Sequence, residues 1–165
     1  MPVRPVVRIP ERVLKQRGMT VDGAPDPEVV ADLVDTMRAS PACVGLAAPQ
    51  IGISQRVIAV DVSSHPKAIL SHGLVVMADP VVTEVEGREI GREGCMSVPD
   101  LTANVARAER IVVSGVGPEG NPLVIATEGF EARAFQHEID HVDGFVILDR
   151  VASLATDVFR RRVYR

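Results

Sequence analysis

The sequence predicts an α+β fold in which antiparallel sheets pack around a central helix that carries a metal-binding motif. Strand-like runs rich in Val and Ile occupy the middle of the chain, and a helical pattern lies on either side of them. Because strands and helices do not alternate regularly, α+β is favoured over a doubly wound parallel sheet. The helical pattern nearer the carboxyl end also holds two of the four histidines, four residues apart.

Length and composition are those of one globular domain spanning residues 1–165. The chain is 46% hydrophobic and 24% charged, which is an ordinary balance for a folded protein. Eighteen basic against 22 acidic residues give a net charge of −4, which does not favour a nucleic-acid or membrane-surface binder. The apolar runs in the sequence fall far short of the roughly 20 residues that a membrane-spanning helix needs.

Cysteine usage and the amino terminus predict a protein of a reducing compartment, the cytoplasm. Two cysteines, Cys43 and Cys95, are too few for the disulfide framework of a small secreted protein. A single Cys43–Cys95 disulfide is the alternative. Residues 1–18 lack the apolar stretch and the small-residue cleavage site of a secretory signal.

The first helix is predicted to follow Asp26. Pro27 suits the first helical position, and the Ser-Pro pair at 40–41 ends the helix because the residue before a proline avoids helical geometry. Apolar residues at helical spacing form one stripe: Val29, Val30, Leu33, Val34 and Met37. The small-residue stretch at 44–52 then predicts a tight loop.

Runs rich in β-branched residues predict the strands that follow. These runs are 56–62, 74–78, 81–85, 111–116 and 123–126. A Pro-Glu-Gly-Asn sequence at 118–121 is a turn signal between the last two runs. These two strands are therefore predicted to form a hairpin.

Helical periodicity returns at 128–142, with Thr127 as a candidate cap and Gly144 as the stop. At about 100° per residue, one sector of this helix holds Phe130, Ala134, His137, Glu138 and His141. The opposite sector holds Phe135, Ile139 and Val142. A helix with an apolar back and a titratable front is expected to lie centrally, with its front facing a functional site.

The strongest chemical signal is the motif His-Glu-Ile-Asp-His at 137–141. His137 and His141 project from one helical face and can reach the same metal ion, and Glu138 lies where a general base is needed. A surface helix that carries two histidines by chance is the alternative. The apolar back of the helix and the scarcity of histidine in the chain favour the metal site.

A catalytic metal of this kind usually has a third protein ligand. No His or Glu follows His141, which leaves the downstream acids Asp143, Asp149 and Asp157, or Cys95 upstream. A thiolate is a strong ligand for a borderline divalent ion. A buried structural thiol explains Cys95 equally well, so the residues alone leave both interpretations open.

Three segments, in order along the chain, resemble the motifs of peptide deformylases. They are Val-Gly-Leu-Ala-Ala-Pro-Gln at 44–50, Glu-Gly-Cys-Met-Ser at 93–97 and Gln-His-Glu-Ile-Asp-His at 136–141. The likeness covers nearly the whole chain and implies a single deformylase-like catalytic domain over 1–165. The implied activity is that of a metal-dependent hydrolase that removes the N-formyl group from the amino-terminal formyl-methionine of nascent polypeptides.

The resemblance implies a role for each matched residue. The metal ligands are Cys95, His137 and His141, binding one divalent ion that is natively Fe²⁺, with Zn²⁺ or Ni²⁺ as substitutes. Glu138 takes the proton of the water on that ion and later delivers it to the leaving amine. Gln50 and the backbone N–H of Met96 stabilise the oxyanion formed from the formyl group. The substrate-binding residues are Val44, Gly45, Arg107, Phe130 and Ala134.

Further residues around these motifs carry expectations of their own. Glu93 and Asp140 are the candidates to orient the ligand histidines through their second ring nitrogens. Arg133 is expected either to pair with Asp140 or Glu131 near solvent or to alter the pocket rim. The basic tail at 160–165 is expected either to be a solvated helix end or to contact the ribosome, as in some deformylases. A metalloprotease and a non-catalytic binder of formylated peptides are the alternative functions.

Overall fold

The computed structural model describes residues 3–161. Within this range the α-helices are α1 (Pro27–Ala39) and α2 (Gly129–Asp143). The strands are β1 (Gly45–Ala47), β2 (Val57–Val60), β3 (Val75–Glu86), β4 (Glu89–Cys95), β5 (Val98–Arg107), β6 (Arg110–Val116), β7 (Pro122–Glu128) and β8 (Val158–Arg160). Short 3₁₀ turns cover Arg12–Lys15, Ala48–Ile51 and Ile147–Asp149.

The strands form two antiparallel sheets, which confirms the predicted α+β class. A five-stranded sheet has the order β1-β2-β3-β6-β7, and a three-stranded sheet has the order β4-β5-β8. The predicted hairpin is the β6–β7 pair. Strands β1 and β4 each lie at the end of their sheet, so each presents an edge.

Helix α2 packs on one face of the five-stranded sheet and α1 on the other. Successive residues of β2 alternate between the two: Ile58 contributes to the core beneath α2, and Val57 to the core beneath α1. Phe135 of α2 is fully buried, and Leu33 of α1 is equally buried on the opposite side. This alternation is the period-two burial of a sheet that is covered on both faces.

Helix α2 is central, as the sequence predicts, and its limits have clear local causes. Gly144 ends it in the left-handed conformation with φ 88°, and its N–H bonds to the carbonyl of His141. At its start, Thr127 is not the expected cap. The Thr127 hydroxyl donates instead to the fully buried Glu131 carboxylate at 2.7 Å, which also accepts the backbone N–H of His72.

Several predicted boundaries are wrong. The runs at 74–78 and 81–85 belong to one long strand, β3, which bends at Asp79 (φ 50°) where the carboxylate accepts the backbone N–H groups of Val21 and Asp22. The stretch at 44–52 is not a simple loop, since it contains β1 and a 3₁₀ turn. Strands β4 and β5 were not predicted at all.

Two further expectations concern membrane-spanning segments and the basic carboxyl-terminal tail. No helix among residues 3–161 is long and apolar enough to cross a membrane. In the basic tail expected to contact the ribosome, Arg160 ends β8 and Arg161 follows it, whereas residues 162–165 lie outside the described residues.

The end of α2 gives a prediction about stability. Gly144→Ala should lower the free energy of unfolding by more than the about 1–2 kcal/mol that left-handed backbone costs an ordinary residue. The excess arises because an added Cβ would lie 2.9 Å from the backbone carbonyl carbon of Gln16. Gly73→Ala is the matched control, because Gly73 also has a positive φ but no atom near the added Cβ. Urea unfolding measures both variants, and equal losses would contradict this contact.

Candidate active site

A cleft of about 350 Å³ lies where the edges of the two sheets meet over helix α2. Gly45 of β1 lines one side, and the end of β4 from Arg92 to Cys95 lines another. His137 and Glu138 face into the cleft from α2, with Ala134 one turn earlier and Phe130 two turns earlier. The titratable front of α2 therefore faces this cleft.

Cys95, His137 and His141 come together at the bottom of the cleft. Their ligand atoms all lie within 4.8 Å of one another, and Cys95 Sγ lies 3.3 Å from His141 Nε2. One thiolate and two imidazoles are a donor set that suits a tetrahedral divalent ion with an open fourth position. The arrangement fits a metal ion, and it favours Cys95 over the downstream acids as the third ligand.

The electrostatics of the cluster favour a deprotonated Cys95. Burial alone would raise the pKa of the Cys95 thiol, but the charges and hydrogen bonds of His141 and His137 hold it well below its usual value. Burial opposes the charged form of His137, yet its contact with Cys95 and the charge of Glu138 raise its pKa well above the ordinary value. The thiolate is the form of cysteine that binds metals.

Glu138 is a buried carboxylate beside this cluster. Burial raises its pKa, although the neighbouring histidines oppose the rise. Its Oε1 has no hydrogen-bond partner among the described residues. Its carboxylate lies so close to Gly45 that a Cβ there would be 2.7 Å from Oε2. A buried acid without a structural hydrogen bond at one oxygen is suited to exchange a proton with a molecule in the cleft.

Gln50 is held in one orientation by its neighbours. Its Oε1 accepts the backbone N–H of Ala47 at 3.0 Å, so its amide nitrogen turns toward the cluster. That nitrogen donates to Ser97 Oγ at 3.1 Å and lies 3.6 Å from Cys95 Sγ. Met96 and Ser97 form the two-residue turn between β4 and β5, which places the Met96 N–H directly after the thiolate. Gln50 and Met96, the residues predicted to supply the oxyanion donors, both line the cleft.

The expected pocket residues are also at the cleft, with one exception. Val44, Gly45, Phe130 and Ala134 line it. His65, which the sequence did not indicate, stacks on Phe130 with ring centroids 4.2 Å apart. It lies in the long β2–β3 connection, where no periodicity or motif marked it.

Arg107 is the exception, and its expected substrate contact is wrong. Its side chain is buried on β5 and does not line the cleft. The guanidinium forms two 2.9 Å hydrogen bonds to the Glu93 carboxylate and one of 2.5 Å to Asp140. Such a bidentate, buried arginine is engaged by the protein itself, and it lies away from the cleft in which a substrate would bind.

Glu93 is the residue that orients the cluster from behind. Its carboxylate lies 2.8 Å from His137 Nδ1, which leaves Nε2 toward the metal position. Arg107 and Arg133 also donate to it, and these cationic and imidazole partners hold its pKa far below the usual range despite burial. Asp140, the other candidate, bonds instead to Arg107 and Arg150.

Arg133 does not have the partners that the sequence suggested. Its guanidinium donates to Glu93 at 2.7 Å and to the backbone carbonyls of Glu89 and Val105, rather than to Asp140 or Glu131. Because it bonds to β4 and β5 at once, it ties helix α2 to the three-stranded sheet. It also lines the cleft, so it contributes to the rim as well.

The two thiols are free. Cys43 lines the cleft with its Sγ 3.1 Å from the carbonyl of Gly45, and burial together with the charge of Glu138 raises its pKa to about 11. The alternative of a Cys43–Cys95 disulfide is therefore not realised in this structure.

The fold and site together define a class of protein. A thiolate and two histidines at ligand distance, with a buried carboxylate beside the open position, are the working parts of a metal-dependent hydrolase. Helix α2, which carries the two histidines and the carboxylate, lies between the edge of β1 and the edge of β4, which carries the thiolate. Together they make the site a peptide-sized cleft.

Comparisons with known proteins narrow the class to one family. The polypeptide deformylase family model matches residues 3–157. A peptide deformylase of Desulforudis audaxviator is 43% identical over 98% of this chain and 99% of its own. The chain belongs to the polypeptide deformylase family.

Solved structures agree with this assignment. The peptide deformylase of Thermotoga maritima superposes with a TM-score of 0.81 at 32% identity, covering 93% of this chain and 99% of that one. The Ehrlichia chaffeensis enzyme in complex with actinonin superposes with a TM-score of 0.85 at 28% identity, covering 94% and 92%.

The ionic contacts of Glu93 give a second prediction. Glu93→Gln should lower the free energy of unfolding by about 3–5 kcal/mol, because it leaves buried arginines without their counter-charge. It should also weaken metal binding about 10–100-fold, because His137 loses its charged partner. Glu89→Gln, an exposed acid on the same strand, should stay within about 0.5 kcal/mol of the parent. Urea unfolding and a competitive metal titration measure the two effects, and an unchanged metal affinity would contradict the orienting role.

Proposed function

We propose that this chain removes the formyl group from the amino-terminal formyl-methionine of nascent polypeptides, releasing formate and a free amine. The observation that carries the proposal is the buried carboxylate of Glu138, unpartnered at one oxygen, next to the three clustered ligand atoms of Cys95, His137 and His141. A purely structural metal site would have four protein ligands and no need of such an acid.

Cys95, His137 and His141 would hold one divalent ion, for which we propose Fe²⁺ as the native metal, with Zn²⁺ and Ni²⁺ accepted by the same donors. When bound there, the ion would act as a Lewis acid that activates water and polarises the formyl carbonyl. Glu93 supports this role by fixing the ring of His137 through Nδ1.

Glu138 is the proposed proton carrier. It accepts a proton from the attacking water while the oxygen of that water bonds to the formyl carbon. It then donates the proton to the methionine nitrogen as the C–N bond breaks, so formic acid and a neutral amine form. The acid proton then passes to the amine, and formate leaves with the protonated amino terminus of the peptide. Burial raises the pKa of Glu138 above its ordinary value, which suits a group that must both accept and release a proton.

Gln50 and the backbone N–H of Met96 are the proposed donors to the oxyanion. Because Ala47 fixes the Gln50 amide, this donor is already oriented before the substrate arrives. Preorganised donors of this kind are usually the largest electrostatic contribution in acyl transfer.

The substrate is proposed to lie extended along the edge of β1. Gly45 would hydrogen-bond to the peptide backbone by strand addition. The methionine side chain would enter the apolar part of the cleft, between Val44 and the α2 residues Phe130 and Ala134, which already line it.

We further propose that the whole chain acts as one catalytic unit in the cytoplasm, where nascent chains emerge. The contact of the basic tail with the ribosome stays a prediction. It rests on the sequence of the tail, since residues 162–165 lie outside the described residues.

Formate release tests the proposal. The chain is purified under anaerobic conditions, its metal is quantified, and formyl-Met-Ala-Ser is supplied alongside the same peptide without the formyl group. We expect formate from the first peptide and no cleavage of the second. Cleavage of internal peptide bonds would indicate a metalloprotease instead. Tight binding of the formylated peptide without turnover, by metal-loaded protein, would indicate a non-catalytic binder.

Glu138→Gln tests the proton carrier. The substitution keeps the size of the side chain and removes the base, so turnover should fall about 10²–10⁴-fold or more. Metal content and affinity for the deformylated product should persist, because Glu138 is not a proposed ligand. Loss of the metal together with activity would make Glu138 a ligand, and unchanged turnover would rule it out as the base.

Gln50→Ala tests the oxyanion donor. Turnover should fall by the equivalent of about 2.7–4 kcal/mol, the range for one lost donor. The backbone N–H of Ala47 also loses its acceptor, so a stability loss of about 1–3 kcal/mol is expected and is measured separately. Gln16→Ala, at an exposed position away from the cleft, is the control. Turnover of the metal-loaded Gln50 variant within a few-fold of the parent would make Gln50 purely structural.

A further inference from the structure

An arginine from the carboxyl end of the chain reaches the cleft. Arg161 follows β8, and its backbone N–H donates to the carbonyl of Asp100 at 2.9 Å, which fixes the chain beside β5. Its guanidinium lines the cleft and lies 3.4 Å from the carbonyl oxygen of Cys95. The proposed mechanism gives this cation no role.

Gly94 makes room for this guanidinium. A Cβ at position 94 would collide with the Arg161 guanidinium nitrogen, so the absence of a side chain lets the cation lie directly over the β4 backbone. The arginine is half-buried there. Because Arg161 lies next to the backbone of the edge strand β4, its charge can contact a peptide that binds along that edge.

The other arginines of the cleft are engaged by the protein. Arg133 pairs with Glu93, and Arg92 stacks on Phe159 at 3.7 Å and bonds to Asn104. Lys67, an exposed cation from the β2–β3 connection, also lines the cleft. Within residues 3–161, by contrast, no carboxylate lies within salt-bridge distance of Arg161 or of Lys67. Two cations at the cleft are therefore available to a ligand.

The path of the substrate passes these cations. With the formyl carbon at the Cys95 cluster and the methionine side chain in the apolar pocket, the following residues of the peptide leave through the open side of the cleft. The two walls there are the edges of β1 and β4, marked by Gly45 and Gly94. An extended peptide between two strand edges presents its side chains alternately, and one of them reaches the Arg161 side.

We propose that Arg161, assisted by Lys67, selects formyl-methionyl peptides that carry an acidic side chain at the first or second position after methionine. This inference rests on the proposed deformylase function. Arg161 touches the substrate in this arrangement and adds a charge-assisted contact that a neutral or basic residue cannot form. Nothing in the chemical step changes, so the effect is confined to peptide selection.

The experiment compares kcat/KM for formyl-Met peptides that are amidated at the carboxyl end and carry Glu, Gln or Lys at either position. The parent should prefer Glu over Gln by about two- to fivefold, the value of a partly exposed ion pair, and Lys should be poorest. The preference should shrink as salt rises. Arg161→Gln should lower it to near one with turnover of the Gln peptides retained, and Arg161→Lys should keep part of it.

The control is Arg160→Gln, which removes the same charge from the exposed preceding residue and should leave the preference intact. A free-acid Gln peptide distinguishes a terminal carboxylate from an acidic side chain, since only the former would raise its rate. Equal rates for all amidated peptides would overturn the inference and leave the deformylase function standing. An equal rise of kcat/KM for all amidated peptides in Arg161→Gln would also overturn it, because the arginine would then only obstruct the cleft. No formate from any peptide would instead refute the proposed function.

Discussion

The site depends on one buried carboxylate, that of Glu93. It stands on β4 two positions before Cys95, yet its partners come from elsewhere: His137 and Arg133 on α2, and Arg107 on β5. The three metal-ligand side chains are divided between β4 and α2. Without a strong connection between strand and helix they would not share one point in space, and the Glu93 contacts supply that connection.

This design accepts a cost in stability. Burying several charges requires them to lose water, and their mutual attraction repays the loss only where the geometry is good. Here Arg107 is bidentate to Glu93 and also reaches Asp140, which in turn accepts from Arg150. An apolar core could hold a helix against a sheet without the desolvation cost of buried charges. It could not aim the ring of His137, which requires a fixed acceptor at Nδ1.

The sequence predicted the chemistry of the site better than its framework. The helical face with His137 and His141 follows from spacing alone, and the ordered motifs added Cys95 and Gln50. Strands β4 and β5 were not predicted from the sequence, because β4 carries Gly91 and Gly94 among charged residues and so lacks the apolar alternation of a half-buried strand. Arg107 was misplaced for a related reason: its burial depends on pairing with Glu93 and Asp140, which are distant in sequence, and spacing cannot reveal such partners.

The close approach of Glu138 to Gly45 links two requirements that look independent. The proposed function requires that the edge of β1 stay open for an extended peptide and that the carboxylate stay next to the clustered ligand atoms. Both depend on the same missing Cβ, since any side chain at position 45 would meet Glu138 before it met a substrate. A change at this position would therefore register as lost turnover even where peptide affinity survived. The shape of the proposed binding surface and the position of the proposed base therefore depend on the same glycine.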